Sequence, residues 1–287
     1  MRLALALYLT LFGTIAAAET PRVEGTLRFG HDTESNLNVG EFSALATYRF
    51  GGTAIDGRFE LGLSRDAARE ALYASAGITL PFGTVDVGLP RSVFELGPLP
   101  DQVRFGSIAA RSSLRPLAAE AALDGTLDSG IRVISDNGGL HVGTSYHRLS
   151  ATDEAIVGVA GRYDLDRPDS VGHITFYGGA ESDGLDEHFL LGTEITRGNA
   201  IAAVDLLRGS EDGGIRVSQI SLGYAVNERL TIGISGFREL EEATDTEELR
   251  LGLGASFSTG TGAYLRGGID SASSDDIAFD LAIGFQF

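Results

Sequence analysis

Ser145 and His147 stand two residues apart, so on an extended strand they share a face, where a hydroxyl and an imidazole can meet as nucleophile and base. No acid that would orient the imidazole and no oxyanion donors accompany them, and the chain contains no GxSxG elbow. His31, His141, His173 and His188 are scattered over other segments. The pair therefore reads as two polar side chains of a strand face and the chain as a non-enzyme. A hydrolase built on the same strands is the enzymatic alternative.

Two charged groupings offer other chemistry. Glu239, Glu241, Glu242, Asp245, Glu247 and Glu248 form a dense acidic run. Hard carboxylate oxygens suit calcium, which makes Glu241, Glu242 and Asp245 candidate ligands, although a solvated acidic loop is the preferred reading. No other metal and no cofactor is expected. The second grouping is Arg28, Arg49 and Arg58, permanent guanidinium charges in a chain without lysine. The net charge of −18 leaves no basic footprint for nucleic acid, and the absence of cysteine excludes disulfides.

The elements that hold these residues follow from periodicity. Val23, Gly25, Leu27 and Phe29 alternate with Glu24, Thr26 and Arg28, the period of a strand with one apolar and one polar side. The pattern recurs over Phe42–Phe50 with Arg49 on the polar side, and over Ile55–Leu63 with Arg58 there. It returns over Leu249–Phe257 and over Ile277–Phe287. About 16 such strands run from 22–30 to 276–287, many close to the length a tilted membrane strand needs.

Turn residues at Gly51-Gly52, Pro81-Phe82, Asp136-Asn137-Gly138, Arg167-Pro168, Gly198-Asn199, Asn227-Glu228 and Gly260 alternate with longer acidic links. Those links include Ser64 to Glu70, Glu239 to Glu247 and the long segment from Leu89 to Asp128. Short turns at one end and longer loops at the other describe an outer-membrane barrel. Soluble barrels of about eight strands alternate too, but a barrel of about 16 is too wide for side chains to fill, so its interior is wet and its apolar face meets lipid. Arg2, the apolar stretch Leu3–Ile15 and Ala16-Ala17-Ala18 form a secretory signal peptide. The domains are then 1–18, signal peptide, and 19–287, an all-β transmembrane antiparallel up-and-down barrel. Aromatic residues near strand ends, Phe29, Phe82, Phe176, Tyr224, Phe257 and Phe285 among them, suit interfacial girdles.

The pattern resembles the general diffusion porins of Gram-negative bacteria, the 16-stranded trimeric kind with compact alphaproteobacterial members. VEGTLRFGHDTESN is similar to a porin first strand and loop, GTVDVGLPRSVFELGPLP to a fifth strand leading into the third loop, and IAFDLAIGFQF to the C-terminal strand. The long segment lacks the PEFGG-like sequence of the family, so the tip of that loop has no motif to mark it. The resemblance implies a pore for small polar solutes and ions, a homotrimer in outer-membrane lipid and lipopolysaccharide, and Phe285 and Phe287 as the signal for the barrel-assembly machinery. It also implies that residues 89–128 fold into the lumen as a constriction loop, with Glu95 and Asp101 facing a basic wall of Arg28, Arg49 and Arg58. Simple pairing of each arginine with a neighbouring carboxylate, such as Arg58 with Asp56 or Glu60, is the alternative on the residues themselves. A channel dedicated to one solute shares all these features.

Overall fold

The structure is a computed structural model that describes residues 22–32, 37–49, 55–66, 69–95, 115–150, 154–167, 172–210, 214–272 and 277–287. In chain order the strands are β1 (Arg22–Asp32), β2 (Leu37–Arg49), β3 (Asp56–Asp66), β4 (Arg69–Leu80) and β5 (Gly83–Leu89). The helix α1 (Leu117–Leu123) precedes β6 (Leu127–Asn137), β7 (Leu140–Leu149), β8 (Ala155–Arg167), β9 (Gly172–Ser182), β10 (Glu187–Arg197) and β11 (Ala200–Gly209). The sheet ends with β12 (Ile215–Ala225), β13 (Leu230–Glu241), β14 (Thr246–Ser258), β15 (Ala263–Ala272) and β16 (Ile277–Gln286). Each strand pairs antiparallel with its chain neighbours, and β1 pairs with β16, so the sheet closes into a barrel without an edge.

Alternation decides which side is out. On β10, Leu191 is 64% exposed while its neighbour Leu190 is 3% exposed, so one face of the strand turns to the surroundings and the other to the lumen. Leu251, Leu253, Phe279, Leu281 and Ile283 cover the outside in the same way, as do the end-of-strand aromatics Phe29, Phe82, Phe176, Tyr224, Phe257 and Phe285. A water-soluble sheet buries its apolar side chains; this barrel displays them. Among the described residues no helix is long and apolar enough to cross a membrane.

The turn between β6 and β7 is Gly138-Gly139, both at positive φ (55° and 95°), a conformation that fits the twist of a two-residue hairpin and suits glycine. The link lengths differ from the sequence expectation. Pairing continues over charged residues to Asp66 and Arg69, leaving only residues 67–68 between β3 and β4, and over the acidic run to Glu241 and Thr246. Backbone ladders do not require apolar side chains, so a charged strand end looks like a loop only in the sequence. Apart from the segment between Leu89 and Leu127, the links at the two ends are of similar length.

The described parts of that segment, residues 90–95 and 115–126, lie inside. Phe94 joins Tyr177, Leu190, Leu207, Val217 and Phe237 in one cluster on the inner faces of β9 to β13. From α1, Leu117 and Ala118 pack on Ile156, while Ala122 packs on Ala71 and Tyr73. The lumen is therefore not wet throughout: part of its wall is an apolar seat for the inserted segment. The barrel seam closes where the Gly25 and Phe287 backbones exchange hydrogen bonds of 2.9 and 3.1 Å, and a Cβ on Gly25 would collide with the Phe287 ring.

Candidate functional site

The inner wall of β1 to β6 carries an ion-pair network built by register. Arg28 and Glu41 are directly paired positions of β1 and β2, and their side chains meet at 2.7 Å. On the next strand Arg58 lies 3.0 Å from Asp86 and 3.6 Å from Glu60. Register also sets Arg132 of β6 opposite Asp86, which it holds at 2.9 Å while reaching Glu60 at 2.5 Å. Arg132 is 2% exposed and Asp86 1%, so these charges are stable only as a set: each desolvated ion relies on its partners.

The inserted segment joins this network through Arg91. Its Nη1 donates to Glu41 at 2.7 Å, its guanidinium lies over the Tyr73 ring at 5.1 Å, and its carbonyl accepts from Arg132 Nη1 at 3.2 Å. Next along, the Ser92 hydroxyl accepts the N–H groups of Phe94 and Glu95, each at 3.2 Å, folding the chain into a tight turn. Gly179 leaves room for Phe94 beyond that turn, since a Cβ there would stand 3.3 Å from the ring.

Ser145 and His147 do share an inner face, and the contacts they make are structural. The Ser145 hydroxyl accepts the Val93 N–H at 3.2 Å, and His147 Nε2 sits 2.8 Å from the Pro90 carbonyl. Both side chains hold the inserted backbone and are almost fully buried.

The predicted pore residues fall in different places. Arg28 and Arg58 lie on the lumenal wall, each already matched to carboxylates of that same wall. Arg49 stands at the turn end of β2, 63% exposed and 3.2 Å from Asp56. Glu95 is partly buried and accepts the Tyr73 hydroxyl at 3.0 Å and the Ser92 N–H at 3.4 Å. Burial pushes its carboxyl above the usual range, against the pull of Arg91 and the Tyr73 hydrogen bond. Its contacts are therefore with β4 and with its own turn, not with Arg28, Arg49 or Arg58. Asp101 lies outside the described residues. Arg69 holds both Glu120 and, at 3.1 Å, Asp124 of the returning segment.

The acidic run is likewise engaged with its neighbours. Arg216 and Arg208 share Glu242, Thr244 donates to Glu241 at 2.7 Å, and Arg238 grips Glu247 at 2.8 and 3.0 Å. Asp245 occupies the link with φ of 51°. Among the described residues no three His, Asp or Glu side chains are grouped to hold a metal, so the candidate calcium set of Glu241, Glu242 and Asp245 is not assembled. Phe285 and Phe287 stack at 6.2 Å on the outer face of β16.

One grouping escaped sequence reading. Asp164 of β8 lies 3.3 Å from His141 and 3.4 Å from His173, with Arg162 at 2.9 Å. The register of β7, β8 and β9 brings these residues together from three segments, and only the alternation of inward positions could have pointed to it.

No protein-family model matches the chain, and no curated protein does. Solved structures do. A multiply substituted Rhodopseudomonas blastica porin superposes with a TM-score of 0.71 over 93% of this chain and 100% of its own, at 17% identity. A triple variant of that porin gives 0.70 with the same coverage and 16% identity. Another structure, described by the asymmetric conductivity of engineered proteins, gives 0.71 at 17% identity over the same shares of each chain. The fold is that of a porin. At this identity the likeness to porins concerns the architecture, so the residue contacts above rest on this chain's own geometry.

Proposed function

We propose that this chain is an outer-membrane porin that admits small hydrophilic solutes and ions by passive diffusion. The observation that carries the reading is the inversion of a closed barrel: apolar side chains face outward, while Arg28, Arg58, Glu60, Asp86 and Arg132 line the inside. Such a surface is stable in a bilayer, and such an interior is compatible with water and charge. In this reading residues 1–18 are removed on export, and the barrel-assembly machinery reads the C-terminal strand with Phe285 and Phe287. The product works as a trimer among outer-membrane lipid and lipopolysaccharide, with no cofactor and no catalytic step.

The test is single-channel recording of the purified, refolded protein in a planar bilayer. Uniform conductance steps that added sugars leave unchanged support a general pore, and saturable block by one sugar favours a dedicated channel. Absence of any step sinks the reading. Ion preference follows from the wall charges: neutralising Arg28, Arg49 and Arg58 removes three fixed cations and leaves Glu41 with Arg91 alone and Asp86 with Arg132 alone, so the reversal potential shifts toward cation selectivity. In about 1 M salt, where the Debye length is about 3 Å, that shift shrinks.

A further inference from the structure

The Asp164 grouping lies well away from the inserted segment. Asp136 stands near the end of β6, His141 near the start of β7, Arg162, Asp164 and Asp166 near the end of β8, and His173 near the start of β9. In the strand alternation they share a face with the buried Arg132, His147, Ala160 and Tyr177, so all six line the lumen. They do so at the end of the barrel that carries Arg22 and Phe287. The Asp164 amide donates to the Gly139 carbonyl at 2.8 Å, which fixes the grouping to the β6–β7 turn.

Asp164 is the hub. Arg162 donates to both of its oxygens, from Nε at 3.0 Å and from Nη2 at 2.9 Å, and the Thr175 hydroxyl donates at 2.7 Å. This carboxylate therefore keeps its donors whatever the state of the imidazoles beside it. Each imidazole is bracketed by two carboxylates. His141 has Nδ1 3.3 Å from Asp136 and Nε2 3.3 Å from Asp164; His173 has Nδ1 2.7 Å from Asp166 and Nε2 3.4 Å from Asp164. A neutral ring carries one N–H and turns a lone pair toward its second carboxylate, whereas an imidazolium donates to both. On β10 the adjoining lumenal position is Glu194, cross-strand from Thr175.

We infer that His141 and His173, bracketed on Asp164, are specificity-determining residues of the channel: they form a proton-controlled charge patch at the turn-end mouth that sets how strongly the pore prefers cations. Four carboxylates, Asp136, Asp164, Asp166 and Glu194, stand there with one guanidinium, Arg162, and two imidazolium rings reduce that excess of three negative charges to one. Histidine is the side chain that changes charge between about pH 5 and 8. Asp136 and Asp166 are exposed, so the patch acts on ions in the water of the mouth. Fixed lumenal charge concentrates its counter-ions, so neutral rings favour cations and charged rings weaken that preference. His147 and His188 are fully buried and stand apart from the mouth. The inference rests on the porin reading, since only an open lumen brings ions past the patch.

The experiment compares wild type with a double variant, His141→Gln with His173→Gln, each shown to be folded by heat-modifiable migration. Reversal potentials are recorded in planar bilayers at equal pH on both sides, across a gradient from about 0.01 to about 0.1 M salt, where the Debye length is about 30 to 10 Å. From about pH 8 to about pH 5 the cation preference of wild type falls, and the double variant loses that fall. A fall of wild-type size in the double variant overturns the inference, as does a wild-type potential that pH leaves unchanged. Should the double variant fail to fold, the single variants decide: each loses part of the fall, and a full fall in both overturns the inference. Nitrogen NMR of histidine-labelled protein in detergent reads the rings without a channel. Both nitrogens of His141 and of His173 carry protons at about pH 5 and one of each at about pH 8; rings with the same proton count at both overturn the inference. Absence of channels in wild type defeats the porin reading instead, and the ring spectra then still decide whether the grouping takes up protons.

Discussion

The two halves of the inner wall hold the same segment by different physics. On β1 to β6, Arg28, Arg58 and Arg132 alternate with Glu41, Glu60 and Asp86, and Arg91 enters the pattern as one more charge. On β9 to β13, Tyr177, Leu190, Leu207, Val217 and Phe237 form a dry patch closed by Phe94. Charge pairing fixes direction and register, because a desolvated ion without its partner is costly; apolar packing fixes depth, because it has no preferred orientation. The segment is thus aimed by one wall and seated by the other.

The largest effect expected from breaking this contrast is at Arg132. Arg132→Ala leaves Asp86 and Glu60 buried without their main counter-charge, a loss of about 3–5 kcal/mol that lowers the midpoint of heat-modifiable unfolding. On the other wall, Phe94→Ala empties the apolar seat at a cost of about 3 kcal/mol. Because that cost falls on the segment and leaves the strand ladders intact, proteolytic resistance of residues 90–95 and 117–123 drops while the unfolding midpoint moves less than in Arg132→Ala. Equal midpoints for the two variants would erase the distinction between the walls.

A smaller effect belongs to Glu95, between the two. Its carboxyl is held up by burial, so the stability that its neutral form lends the seat is complete below the ordinary carboxylate range and is lost as pH rises through the raised value. Protection of the segment from exchange therefore declines with rising pH in wild type, and Glu95→Gln, which stays neutral, removes the decline. The smallest effect is at the exposed pair Arg238 and Glu247: replacing either by Ala leaves the unfolding midpoint unchanged within reproducibility, as expected for a solvent-screened ion pair.

Alternation made the barrel legible, because one face of each strand meets an environment unlike the other, and the polar parity of Arg28 and Arg58 followed directly. It did not reveal which inward residues meet water and which meet protein. The doubled apolar runs at Phe189-Leu190-Leu191 and Leu206-Leu207 carried that signal, since a strand wet on one side has no use for an apolar inner neighbour. Likewise α1 was announced by the alanine-rich stretch Leu117–Leu123, whose helix propensity is high, inside what reads as one long loop. Ser145 and His147 were correctly set on one face, but a hydroxyl and an imidazole look the same in sequence whether they await a substrate or hold a loop. The contact of Glu181 with the Ala118 N–H was beyond reach, because it depends on which strand the start of α1 meets.

The seam at Gly25 and Phe287 has a kinetic consequence. Every other strand pairing joins chain neighbours and can form as a hairpin, whereas β1 and β16 must meet across the whole length of the barrel sequence. Loop-closure entropy grows only as the logarithm of length, so the finished seam loses little stability through this distance, but it is the last contact a growing sheet can make. Until then β1 and β16 each expose an unpaired ladder, which is the state most open to pairing with another chain. A bulky residue at Gly25, whose Cβ would meet both the Phe287 ring and the Ser43 carbonyl, therefore lengthens the life of the unclosed sheet as well as straining the closed one.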